Sequence, residues 1–354
     1  MNNINIVDIK SAFVETTSLC NLKCKHCYND SGVSCNYIDF KVIEGLVSSL
    51  VELNAEFVSI SGGEPLLHPD FDRIMGLLDH YNIKFQIITN GTLLHKKIGV
   101  LEKYKRSIFI QISLDGVGTT HDKLRGYGTF DLIAKNIKML KEKGFTYFFK
   151  TTIHKKNYPV LEEIVVHAID FGGSSISFSF INPVGRGLLN RDLHMDQGEI
   201  YKVFKALQLL KDKYNDKIKI GVPTLYRNSI CPWFAYSSGS KLKISPRIDV
   251  KGNVYLCSAF MSEKFSIGNI NKHSLKDILL VNEDIYELLS FLSLYSKYID
   301  CQRCLLNSKC NKGCPASVLE KLTEYDDNFC GSRRFAAVDY ICQAEGIHTN
   351  RGLK

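Results

Sequence analysis

Residues 11–27 read SAFVETTSLCNLKCKHC, a short β-rich run followed at once by three cysteines, Cys20, Cys24 and Cys27, in the spacing CxxxCxxC. Ser11 to Thr17 predicts a strand, and the cysteines then fall in the loop beyond its C-terminal end. Phe40 to Leu53 (FKVIEGLVSSLVEL) carries the apolar spacing of a helix. Glu56 to Ile60 is a second β-rich run, ended by Gly62 and Gly63, and a second helix is expected from about Pro69 to His80. Lys84 to Thr89, Ser107 to Leu114, Thr146 to Ile153 and Ser175 to Ile181 continue the strands, with helical patterns between them. Six strand-helix units imply a parallel sheet with right-handed crossovers. A complete eight-unit barrel would need roughly 250 residues, and these six occupy about 170. The expected fold is therefore α/β, a partial (β/α)6 TIM-like barrel.

After Asn182 the pattern changes to a helix from about Asp196 to Lys213, short strands near Lys241 to Ile244 and Asn253 to Leu256, and then cysteine-rich loops. The expected organisation is a barrel over residues 1–190, a helical bridge over 191–230 and a cysteine-rich domain over 231–354.

The chain has 354 residues, of which 45% are apolar, enough for a buried core. A net charge of +8 is spread without runs of like charge, which argues against nucleic acid as a partner. No stretch approaches roughly 18 uninterrupted apolar residues, so no membrane association is expected. The first ten residues, MNNINIVDIK, lack the basic start and apolar centre of a signal peptide, and the chain is read as cytoplasmic. In such a reducing compartment, twelve cysteines point to metal or redox chemistry rather than a disulfide framework. A second group, Cys301, Cys304, Cys310 and Cys314, is spaced CxxCxxxxxCxxxC, while Cys35, Cys231, Cys257, Cys330 and Cys342 lie apart.

Three thiolates within eight residues can converge on one metal centre. Structural zinc wants four ligands, whereas a cubane iron-sulfur cluster held by three cysteines leaves one iron open. The alternatives are zinc completed by His26 or Cys35, and inert buried thiols.

On these residues the sequence resembles the radical S-adenosylmethionine (SAM) superfamily. The resemblance implies that Cys20, Cys24 and Cys27 hold a [4Fe-4S] cluster whose fourth iron chelates the amino and carboxylate groups of SAM. SGGEP at Ser61 to Pro65 is similar to the family's segment in which Ser61, Gly62, Gly63 and Glu64 meet the methionine amino group. Glycine suits a close approach of backbone to ligand. TNG at Thr89 to Gly91 resembles the ribose-contacting segment, through Thr89 and Asn90. SLDG, carrying Ser113 and Asp115, followed by HDKLRG, is similar to the pair that sets Ser113 near the ribose and Arg125 near the SAM carboxylate, a task for which the guanidinium fork is suited. His26 and Val184 of NPVGR fall at adenine-contacting positions. All these segments end strands, where barrel active sites form.

GNVYLC at Gly252 to Cys257, GNI at Gly268 to Ile270 and the C-terminal cysteines resemble the SPASM extension of peptide-modifying members. The resemblance implies two auxiliary [4Fe-4S] clusters, and so three in all: an outer one on Cys301, Cys304, Cys310 and Cys330, and an inner one on Cys231, Cys257 and Cys314. The inner set lacks a fourth cysteine. Either one iron is open to substrate, or Cys342 or Cys35 completes it. A zinc ribbon is the alternative for this group.

The implied reaction is reductive cleavage of SAM to a 5′-deoxyadenosyl radical that abstracts hydrogen from a substrate. The implied substrate is a ribosomally made peptide undergoing cross-linking, oxidation or epimerisation. Only 19 residues precede Cys20, so delivery of the peptide is expected to fall to a separate leader-binding protein or to the barrel itself, and a flavodoxin- or ferredoxin-type electron donor is the other expected partner. Ser258 stands where sulfatase-activating relatives place an Asp, which disfavours that activity. Biosynthesis of a haem-type cofactor or antibiotic, and a non-catalytic metal-binding scaffold, are the other readings.

Overall fold

The computed structural model describes residues 9–182, 184–223, 244–260 and 262–280. Along the chain run β1 (Ser11–Thr17), α1 (Phe40–Glu52), β2 (Phe57–Gly62), α2 (Phe71–His80), β3 (Lys84–Thr89), α3 (Leu94–Lys103), β4 (Ile108–Ser113), α4 (Thr119–Arg125), α5 (Thr129–Glu142) and β5 (Tyr147–Ile153). They continue with α6 (Leu161–Asp170), β6 (Ser175–Phe180), α7 (Arg186–Leu189), α8 (Gln197–Lys213), β7 (Lys219–Gly221), β8 (Arg247–Ile248), β9 (Asn253–Tyr255), β10 (Gly268–Asn269) and α9 (Leu275–Leu280).

The first seven strands pair in chain order and all in parallel. This is the strand-helix barrel wall expected from the sequence, with β7 as a seventh parallel strand. The free edge of β1 is then taken by β8, parallel to it, and β9 and β10 follow antiparallel. The segment after residue 244 thus continues the sheet of the barrel. A strand was expected at Lys241 to Ile244, but β8 starts at Arg247. Ile244 carries no strand pairing, and residues 241–243 lie outside the described residues. Pro246 has no N–H to give a ladder, so pairing opens with its carbonyl, which accepts from Phe13 N at 2.8 Å. Helix α2 starts two residues later than Pro69, because Asp70 N is held by His68 Nδ1 at 3.1 Å in the preceding turn.

Alternation of side chains sorts the sheet into two faces. Val14, Ile60, Phe85, Ile87, Ile110, Ile112, Phe149 and Ile176 face the helices and meet Leu50, Met75, Leu78, Leu101, Ile137 and Ile164 in one continuous core. Burial of each such side chain contributes roughly 1.5–3 kcal/mol. The opposite face carries Glu15, Ser59, Gln86, Gln111, Ser113, Lys150 and Ser177, a polar wall that suits a ligand chamber rather than a core. Among the described residues no helix is long and apolar enough to cross a membrane.

Candidate active site

The loop between β1 and α1 carries Cys20, Cys24 and Cys27 as free thiols, Cys24 buried and the other two half-buried. Three segments from strand ends grip this loop. The first follows β2: Gly63 N donates to Thr17 O at 2.6 Å and Glu64 N to Leu19 O at 2.7 Å. A Cβ on Gly63 would lie 2.2 Å from Leu19 O, so the SGGEP glycines serve a close approach to the chain's own cysteine loop. The second segment follows β3: Asn90 Nδ2 donates to Asn21 Oδ1 at 3.0 Å and reaches Cys20 Sγ at 3.9 Å. The third follows β6: Arg186 N donates to Cys27 O at 2.9 Å, and Arg186 Nε to Cys24 O at 2.8 Å. Val184 is half-buried in that same turn.

Each sulfur also accepts from nitrogen. Leu22 N lies 3.4 Å from Cys20 Sγ, Ser31 N lies 3.4 Å from Cys27 Sγ, and Arg125 Nη1 lies 3.9 Å from Cys24 Sγ. Such donors orient sulfur ligands and stabilise negative charge on them. Burial pushes the Cys20 thiol up to about 12, and Glu64 and the neighbouring thiols push the same way. Burial likewise raises Cys24. A strongly positive centre bound beside them would favour the thiolates of Cys20 and Cys24. Three cysteine sulfurs on one loop, each accepting from nitrogen, are the donor set that an iron-sulfur cube takes.

Glu64 is wholly buried. Its Oε1 accepts from Thr89 Oγ1 at 2.8 Å and Leu66 N at 3.3 Å, and its Oε2 from Asn90 N at 2.8 Å. Burial raises it to about 7 in spite of these donors, so an ammonium placed beside it would be welcomed as a counter-charge. Ser61 is buried, with its carbonyl accepting from Thr16 Oγ1 at 3.2 Å.

Across the mouth, Arg125 Nε lies 2.5 Å from Asp115 Oδ2, and its Nη2 lies 3.4 Å from His26 Nε2. Asp115 Oδ1 accepts from Thr152 N at 2.7 Å. Burial opposes ionisation of Asp115, but Arg125 and then His26 and His121 outweigh it and hold the carboxyl at about 2. Burial lowers His26 to about 3, and His121 and His154 to about 4, so all three are neutral at pH 7. Asp115 thus holds Arg125 in place across the mouth. Ser113 ends β4, half-buried on the polar face.

Cys257 follows β9 and is half-buried, and Cys35 is exposed. Cys231, Cys301, Cys304, Cys310, Cys314, Cys330 and Cys342 lie outside the described residues. Two contributors escaped the sequence reading. One is Arg186. The other is the buried pair of Glu15 and Arg247, with Nε to Oε1 2.9 Å and Nη2 to Oε2 2.9 Å, which Tyr28 joins at 3.0 Å and which ties β8 to the cysteine loop.

Residues 14–166 match the radical SAM superfamily, and residues 242–311 match SPASM, described as an iron-sulfur cluster-binding domain. These two matches make the chain a radical SAM enzyme that binds SAM and iron-sulfur clusters. Residues 14–166 belong to the radical SAM superfamily, and residues 242–311, after the barrel, to the SPASM domain. The antilisterial bacteriocin subtilosin biosynthesis protein AlbA of Bacillus subtilis is 28% identical over 341 residues, 94% of this chain and 73% of its own length. Mycofactocin maturase MftC of Mycolicibacterium smegmatis is 27% identical over 267 residues, 72% of this chain and 66% of its own. The crystal structure of Streptococcus suis SuiB bound to precursor peptide SuiA has the same fold, with a TM-score of 0.75 over 92% of this chain and 76% of SuiB at 20% identity.

Proposed function

We propose that this enzyme modifies a ribosomally made peptide, abstracting a hydrogen atom from it with a radical generated from SAM. The similarity to AlbA over 94% of the chain carries this reading, because it runs through both halves and AlbA belongs to bacteriocin biosynthesis. A maturase relative and a fold neighbour holding a precursor peptide point the same way.

In this reading Cys20, Cys24 and Cys27 hold the cluster that, with SAM, supplies reductive cleavage to methionine and a 5′-deoxyadenosyl radical. The chain's own residues orient and enclose. Glu64 takes the methionine ammonium, and Arg125, aimed by Asp115, takes the carboxylate. Thr89, Asn90 and Ser113 border the ribose, and His26 and Val184 border the adenine. Gly62 and Gly63, with Ser61, keep the cysteine loop pressed to the strand ends. Excluding water from this mouth keeps the radical from side reactions.

Cys301, Cys304, Cys310 and Cys330 would hold an outer auxiliary cluster, and Cys231, Cys257 and Cys314 an inner one, within a domain over 231–354 that follows a bridge over 191–230. A flavodoxin- or ferredoxin-type protein would deliver the electron, a leader-binding protein the peptide, and the cytoplasm is the compartment that suits both.

The test is anaerobic incubation of reconstituted enzyme with SAM, dithionite and the short peptides encoded beside its gene. A peptide mass change that requires SAM supports the reading. If SAM is cleaved while every such peptide is left unaltered, peptide modification is wrong. The same preparation should carry about twelve irons per chain, three cubes of four, and about four would remove the auxiliary pair.

A further inference from the structure

Lys150 stands in the middle of β5 on the face turned away from the helices. Its neighbours Phe149 and Thr151 are fully buried on the other face, while Lys150 lies on the half-buried face between Phe148 and Thr152. In register, Lys150 sits between Ser113 of β4 and Ser177 of β6. Neighbouring strands are about 4.8 Å apart, so the ammonium stem rises from a row that carries a hydroxyl on each side. Burial lowers its pKa from the ordinary lysine value.

Among the described residues no ion pair or hydrogen bond joins the Lys150 ammonium to a carboxylate. Glu15 is bonded to Arg247 and Tyr28, and Asp115 to Arg125 and Thr152 N. A partly desolvated ammonium without a partner is costly, and a ligand anion relieves that cost. The row also lies level with Ser113, which the reading above sets beside the ribose.

We propose that Lys150, flanked by Ser113 and Ser177, docks a carboxylate of the substrate, so that the peptide presents an acidic side chain or its C-terminus to the chamber. This rests on the peptide reading and narrows it. Two sources share the chemistry. A side-chain carboxylate places an Asp or Glu of the peptide against the wall, and a C-terminal carboxylate places the end of the chain there.

The experiment is protection of Lys150 from reductive methylation by formaldehyde and dimethylamine-borane in the reconstituted wild-type enzyme, read by peptide mass spectrometry. The probes are N-acetyl-diglycine, which carries a C-terminal carboxylate, the α-amide of N-acetylglutamate, which carries a side-chain carboxylate, and neutral N-acetyl-diglycinamide. A carboxylate probe at ten times its Kd should slow modification of Lys150 about tenfold, while lysines on the outer surface, such as Lys103, react unchanged. The stronger carboxylate probe names the source. Equal protection by the neutral amide, no protection by either carboxylate, or a Lys150 that formaldehyde never reaches each overturns the site. Formation of 5′-deoxyadenosine is measured in the same preparation, so a failure of the radical reading is seen separately from a failure of carboxylate docking.

Discussion

Asp115 and Arg125 form a buried ion pair, Oδ2 to Nε 2.5 Å, and the other arm of the same guanidinium reaches Cys24 Sγ at 3.9 Å. One side chain thereby connects the end of β4 to the cysteine loop. Asp115→Asn would leave the buried guanidinium without its counter-charge. Loss of about 3–5 kcal/mol of stability is expected, together with about 10–100-fold weaker SAM binding, the usual cost of removing an outer orienting partner. Urea unfolding and equilibrium binding of SAM measure the two. Unaltered SAM affinity would mean that Asp115 does not act through Arg125.

Glu15 and Arg247 are 232 residues apart in sequence and bonded at 2.9 Å through two nitrogen-oxygen pairs. Glu15→Gln or Arg247→Met alone should cost about 3–5 kcal/mol. Glu15→Leu with Arg247→Met should recover much of that loss, because no unpaired charge is left behind. A double-mutant cycle by urea unfolding reads the coupling. Strict additivity would show that the pair does not hold β8 to β1.

Glu64 gives a pH signature in protein free of cluster. Its folded value is raised by burial to about 7 from an ordinary value of 4.5. Below the ordinary value both folded and unfolded forms carry the proton, and the contribution to stability is whole. As pH rises towards about 7 the unfolded form releases the proton first, and stability falls. The full loss is about 3 kcal/mol. Glu64→Gln should abolish this fall, which parallel unfolding curves of the two proteins between pH 4.5 and 7.5 would show. Parallel curves that keep the same slope would place the titration elsewhere.

Two glycines form a matched pair. Gly63→Ala places a Cβ 2.2 Å from Leu19 O, whereas Gly45 in α1 has nothing within 4 Å of the same atom. Gly63→Ala should cost about 1–3 kcal/mol and lower the iron bound at the first cluster. Gly45→Ala should stabilise by about 0.5–1 kcal/mol with iron unchanged. Thermal unfolding and iron assay distinguish them, and equal behaviour would deny that the loop is pressed to β2.

The six long strands were legible because each holds enough residues for alternation to show, as in Tyr147, Phe149, Thr151 and Ile153 facing inward along β5. Strands β7 to β10 have two or three residues each, too few for a period of two to register, and only the β9 region was anticipated. Around the site, Cys20, Cys24, Cys27, Gly63, Glu64 and Asn90 sit in contiguous motifs and were read directly. Arg186 was not, since it bonds a backbone carbonyl 162 residues away, and such a contact leaves no pattern in sequence. Lys150 was hidden for the opposite reason. One lysine in an apolar run has an unremarked identity until register sets it between Ser113 and Ser177.

The most direct test is 5′-deoxyadenosine formation by iron-replete enzyme under strict anaerobiosis, with SAM and dithionite, for the wild type and for the triple variant Cys20→Ala, Cys24→Ala, Cys27→Ala. The account predicts 5′-deoxyadenosine and methionine from the wild type and none from the variant. An inert wild type, or a triple variant that still cleaves SAM, would contradict it.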